Sequence, residues 1–120
     1  MEDHRVWAFE EGLWTGDAAH YRDAVDDECL MVLPAAPFVL TGKQAIEAVS
    51  ETPRWSKVAL SERQIMRPQE GLIVVAYKAV ASKDQESRYE AFCTSTYRRL
   101  SHEHWRVVQH QQTLPPIAKT

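Results

Sequence analysis

Residues 72–81, LIVVAYKAVA, constrain the fold of this chain more than any other stretch, because apolar side chains fill both alternating sets of positions and only Lys78 interrupts them. Successive side chains of a β-strand point to opposite faces. Ile73, Val75, Tyr77 and Ala79 therefore form one apolar face, and Leu72, Val74, Ala76 and Val80 the other. Such a strand lies inside a sheet and needs cover on both sides. At 120 residues the chain is one domain with one core, and its helices can cover only one face. A second copy packed sheet to sheet is the simplest cover for the other, which predicts a homodimer.

The elements before and after that strand can be read from periodicity. In 2–15, Val6, Trp7, Phe9, Leu13 and Trp14 recur at helical spacing while Glu2, Asp3, Arg5 and Glu11 fall elsewhere, predicting an amphipathic helix. Gly16 and Asp17 supply a stop and a new N-cap. A second helix follows over 18–25, closed by Asp26, Asp27 and Glu28. Residues 29–33 read as a short apolar strand ended by Pro34, with 38–40 as its partner. Thr41 and Gly42 open a third helix over 43–49, and Trp55 follows in a short turn. Strands are expected over 57–66, 72–81, 89–100 and 104–113, separated by turns at 68–71, 82–86 and 101–103. The domain spans 1–114, and the Pro-bearing end, 115–120, is expected to be a flexible tail. Helices in the first half and long strands in the second predict an α+β domain with one sheet.

Composition narrows the function classes. No apolar run approaches the roughly 20 residues that span a bilayer, and the acidic, charge-interrupted start MEDHRVWAFEEGLW does not have the pattern of a secretory signal, so the expected location is cytoplasmic. The net charge of -3 with scattered Lys and Arg argues against nucleic acid as a partner. Arg98, Arg99 and Arg106 are read as a solvated rim. Cys29 and Cys93 stand in apolar strand contexts, where free buried thiols are expected, and no zinc-type spacing exists. His102, Glu103 and His104 diverge around a hairpin loop and are not read as a metal site.

The last strand changes character along its length. After Trp105, Val107 and Val108 it becomes Gln109, His110, Gln111, Gln112 and Thr113, which suits either a solvated strand end or the wall of a wet pocket. Side chains two apart share a face, so His110 and Gln112 are expected to point into one space together with Val108.

The residues AAHYRDAVDDECLMVLP, TGKQAI, TSTYRRL and WRVVQHQQT, in that order, resemble the nuclear transport factor 2-like superfamily, and within it the branch of small SnoaL-like and ketosteroid-isomerase-like members, which includes the calmodulin-dependent kinase association domain. The resemblance runs from about Arg5 to Thr113. It implies a cone-shaped, strongly curved mixed or antiparallel sheet, a cystatin-like α+β barrel whose N-terminal helices close the concave face over an apolar pocket, with dimers formed through the convex face. Carried over by position, Tyr21 reaches into the cone and Trp55 lies at its mouth. Tyr77 and Ala79 face inward and Lys78 outward, in keeping with the cost of burying an unpaired ammonium. Thr94 and Thr96 line the floor beside His110 and Gln112, while Cys93, Ser95 and Tyr97 face the partner.

Isomerase members need a buried carboxylate base. The only acidic cluster here is Asp26, Asp27 and Glu28, and Glu90 is read as lying near a strand end, so that pattern is not matched. His110 is the candidate catalytic group, because an imidazole titrates near neutrality. A core histidine satisfied by Thr94, Thr96 or Gln112 would look the same. Tyr21, Trp55, Tyr77, Thr94, Thr96 and Gln112 are the expected ligand-binding residues, with no metal or cofactor. A cofactor-free isomerase, cyclase or hydrolase acting on a small organic substrate is one reading; a non-catalytic ligand-binding or dimeric assembly module is the other.

Overall fold

In the computed structural model, which describes residues 1–85 and 87–115, three helices and two strands precede four long strands. In chain order these are α1 (Asp3–Thr15), α2 (Ala18–Ala24), β1 (Val25–Val32), β2 (Val39–Thr41), α3 (Gly42–Glu51), β3 (Lys57–Gln69), β4 (Leu72–Ser82), β5 (Tyr89–Ser101) and β6 (His104–Thr113). The strands form one curved, open mixed sheet in the order β2-β1-β6-β5-β4-β3. Strand β1 runs parallel to β6 and all other neighbours are antiparallel. The α+β class and the helices on one face are as the sequence predicts. Of the tail expected over 115–120, residues 116–120 lie outside the described residues.

Local chemistry sets the helix ends. Asp17 accepts the His20 N–H at 3.0 Å to start α2. Thr41 and Gln44 form a reciprocal capping box at the start of α3, with bonds of 3.2 and 2.9 Å. Gly42 is required where it stands, because a Cβ there would lie 2.0 Å from the Asp26 carbonyl oxygen. The acidic run 26–28 differs from expectation: it lies in β1 and does not close α2. Val25 pairs with Val107 of β6, and Asp26 is neutralised there by the Glu28 N–H at 2.9 Å and the Arg98 guanidinium at 2.7 Å. A tertiary strand pairing outweighs the loop-like composition. Pro68 likewise sits within β3, which is an edge strand and tolerates it.

The concave face holds the core. Ile73, Val75, Tyr77, Ala79 and Ala81 of β4 alternate inward, joined by Ala91, Cys93, Ser95 and Tyr97 of β5. They meet Val6, Leu13 and Trp14 of α1. On the convex face Leu72, Val74, Ala76 and Val80 are half-buried, Met66 stands beside Val74, and Lys78 pairs with Glu90 at 3.3 Å.

In β6 the alternation is broken. Thr96 pairs with Gln109 but Tyr97 pairs with Val107, so Val108 is the extra residue of a bulge. Trp105 and Val107 point inward before it, and His110 and Gln112 after it. Val108 therefore does not share their face, contrary to strict period-two reading.

Candidate functional site

One face of α1 carries the feature that the sequence reading missed. Val6, Glu10, Leu13 and Trp14 are spaced i, i+4, i+7 and i+8, a single helical stripe, and all four are buried. Glu10 is thus driven into the core by its apolar neighbours on the same face, and its exposure is 0%. A buried carboxylate is tolerable only when it is hydrogen-bonded, and β4 and β5 supply the donors. Tyr77 Oη and Ser95 Oγ each donate to Oε1 at 2.7 Å, and Tyr97 Oη donates to Oε2. Trp14 Nε1 donates to Tyr77 Oη at 3.1 Å, leaving that phenol's own proton for Glu10. Burial pushes the Glu10 carboxyl above its ordinary range, and the three hydroxyls pull it part of the way back.

The network continues to His110. Ser95 and His110 are paired across the β5–β6 ladder, so they share a face and their side chains meet, Oγ to Nδ1, at 2.7 Å. Gln112 Nε2 lies 3.1 Å from His110 Nε2, and Tyr89 Oη donates to Gln112 Oε1 at 2.9 Å. The donor and acceptor roles are mutually consistent: the Gln112 amide donates to His110 Nε2, His110 Nδ1–H donates to Ser95, and Ser95 donates to Glu10. His110 is 3% exposed and burial pushes it down to about 4, so the ring is neutral at physiological pH.

The His110 end of this chain reaches open space. A cavity of about 370 Å³ lies between the helices and the sheet, with His110 and Gln112 in one wall. The opposite walls are Leu13 and Trp14 of α1, Tyr21 of α2, and Ala45 and Val49 of α3. Trp55 and Arg54 stand at the connection from α3 to β3, where Trp55 stacks on Tyr89 with ring centroids 5.3 Å apart. Arg54 donates to the Gly16 and Leu13 carbonyls and, at 3.3 Å, to Tyr21 Oη. A second groove of about 360 Å³ lies beside Glu62, Phe92, Thr94 and Gln111, and His110 is not among its lining residues.

A family model described as the SnoaL-like domain matches residues 6–117. The chain belongs to the SnoaL-like domain family. Among curated proteins none matches it. Several solved structures share the fold. A candidate ketosteroid isomerase from Parabacteroides distasonis is 14% identical, with a TM-score of 0.77 over 93% of this chain and 86% of that one. An NTF2-like protein of unknown function in nutrient uptake from Rhodospirillum rubrum is 19% identical, with a TM-score of 0.75 over 95% of each chain. The association domain of CaMKII from C. elegans is 12% identical, with a TM-score of 0.74 over 92% of this chain and 90% of that one. Identities this low carry the fold alone.

Within this SnoaL-like domain the expected site residues divide. Tyr21, Trp55, His110 and Gln112 come together around the cavity. Tyr77 faces inward but is not in the cavity wall, its hydroxyl being held between Trp14 and Glu10. Tyr21 gives its proton to the Leu13 carbonyl. Thr94 and Thr96 are on the convex face, where they bond to Gln109, and cannot form a floor beside His110. The inward residues of β5 are Cys93, Ser95 and Tyr97, the reverse of the expected phase. Across an antiparallel ladder directly opposed residues share a face, so His110 fixes Ser95, not Thr94, as its neighbour. Glu10 is a buried carboxylate that the sequence reading did not find. Its position on the stripe of Val6, Leu13 and Trp14 was the signal that could have found it.

No helix among the described residues is long and apolar enough to cross a membrane. Cys29 and Cys93 are both free and buried.

Proposed function

We propose that this SnoaL-like domain encloses a small organic molecule and that His110 serves as the proton-transfer group toward it, in a cofactor-free isomerase, cyclase or hydrolase reaction. The observation that carries the reading is the hydrogen-bonded chain from buried Glu10 through Ser95 to His110, whose Nε2 edge meets the cavity wall beside Gln112. At rest the imidazole is neutral and able to accept a proton. When Nε2 takes a proton from a bound molecule it releases the Gln112 amide. The new imidazolium is stabilised through Nδ1–H and Ser95 by the carboxylate behind them, which keeps the ring oriented throughout. Trp55 and Tyr21 supply apolar contact area, and Gln112 has a second N–H for a ligand acceptor. The group acting is His110; Ser95 and Glu10 position it.

Thermal-shift measurements against a metabolite panel, followed by product analysis of each stabilising compound, test the reading. Turnover lost in His110→Ala, with fold and ligand affinity retained, supports it. Unchanged turnover in that variant ends the catalytic role.

A second reading is favoured by the convex face, where Met66 is 65% and Phe92 41% exposed beside the half-buried apolar residues of β4. In that reading two copies pack sheet to sheet as a ligand-binding or assembly module without chemistry. A ligand that binds without product formation, in a protein that sediments as a dimer, supports it.

A further inference from the structure

We infer that the cavity is built for an organic acid, an apolar body bearing one carboxylate, with Arg54 as the anchor for the charge. This rests on the reading of the cavity as a small-molecule site and names the class of molecule it takes.

Arg54 is the cavity's cation and has no carboxylate partner: among the described residues no ion pair includes it. Its guanidinium is nonetheless fixed. Nε donates to the Gly16 carbonyl at 2.7 Å, Nη2 donates to the Leu13 carbonyl and to Tyr21 Oη, and the plane lies 5.2 Å from the Tyr21 ring centroid. The carbonyls belong to the C-terminal end of α1, where orphaned acceptors and the helix dipole hold a cation in place. These contacts use the Nε and Nη2 groups. Nη1 makes no hydrogen bond among the described residues, so a donor group of a pre-oriented, half-buried guanidinium remains open on a residue that lines the cavity.

The other polar groups there point the same way. His110 Nε2 already accepts from Gln112, Gln112 Oε1 already accepts from Tyr89, and the Tyr21 proton is committed to Leu13. Without breaking an existing bond, the side chains of the wall offer a ligand N–H from Arg54 and N–H from Gln112, both donors, against one hydroxyl oxygen, that of Thr52, whose proton goes to the Ala48 carbonyl at 2.7 Å. Apart from these residues the lining is aliphatic, aromatic or, at Met31, thioether. A cavity with free donors, an uncompensated positive charge and apolar walls is complementary to a hydrophobic carboxylate and is mismatched to an amine.

Calorimetric titration at pH 7 with 3-phenylpropanoate and its neutral isostere 3-phenylpropanamide tests this. The acid is expected to bind roughly tenfold to a hundredfold more tightly than the amide, the range for a charge-assisted pair in a partly desolvated site. Arg54→Gln is expected to erase that preference while leaving amide affinity within about threefold. In the unaltered protein the Arg54 side-chain N–H resonance should move with the acid and not with the amide, a readout that stands even if the variant does not fold. Equal binding of the two probes, or a preference that survives Arg54→Gln, overturns the anchor and leaves the cavity reading intact. Binding of neither probe overturns both.

Discussion

At the scale of single residues, the two groups that matter most titrate in opposite senses. Burial holds His110 at about 4 against an ordinary 6.5. Between those values the unfolded imidazole takes a proton that the folded one refuses, so the stability of the fold falls as pH drops through that window and levels off below it. A shift of this size corresponds to roughly 3 kcal/mol. Urea unfolding at pH 7, 5.5 and 4 should therefore show wild type losing about that much relative to His110→Gln; a pH-independent difference contradicts the burial argument. Glu10 runs the other way. Its folded pKa is raised, so its contribution is most favourable below 4.5 and is lost as pH rises toward the raised value. Glu10→Gln should gain on wild type as pH rises from 4.5 in the same assay. Glu10→Ala is a different case: it strands the hydroxyls of Tyr77, Ser95 and Tyr97 in the core and should cost about 3 kcal/mol or more at pH 7.

At the scale of elements, the site depends on how α3 and β6 are held. The capping box at Thr41 fixes where α3 begins, and Thr41→Ala should cost about 1 kcal/mol in denaturant unfolding. Gly42→Ala should cost more, about 2 kcal/mol, since the added Cβ meets the β1 backbone at Asp26 and α3 must move away. Because Ala45 and Val49 of α3 line the cavity, the same variant should weaken ligand binding although it touches no ligand. In β6 the bulge at Val108 is what turns His110 inward on the same face as Ser95. Glu62, with φ of 52°, lies at a second irregularity, where β3 shifts register against β4 between Ser61 and Gln64. Both irregularities break the simple alternation from which strand faces are read.

At the scale of the whole molecule, the concave face is covered by the helices and the convex face is not. Its apolar strip runs along β4 and continues onto Met66 and Phe92, while the β5–β6 part of the same face is tied by polar pairs between Thr94, Thr96 and Gln109. The sheet-to-sheet dimer proposed above uses that strip. Sedimentation at low micromolar concentration should give a dimer for wild type and a monomer for Val74→Lys, with His110-side ligand affinity unchanged. A wild-type monomer would remove this explanation for the apolar strip on β4.

Residue order alone specifies most of the elements and the class. Periods of 3.6 and 2 are local, so α1, the helix behind Thr41, the two-faced β4 and the polar end of β6 could all be read from residue order. It also placed Tyr21, Trp55, His110 and Gln112 in one region, and all four line the cavity. Which face of β5 is inside follows from the three-dimensional pairing, because strand phase is a binary choice that an inserted residue such as Val108 reverses for everything beyond it. The tertiary structure likewise decided that the acidic run at 26–28 is strand and that Glu10 is buried. A carboxylate on an apolar helical stripe is acceptable only if donors arrive from elsewhere in the chain. Here they come from Tyr77, Ser95 and Tyr97, more than sixty residues away, and no local pattern announces them.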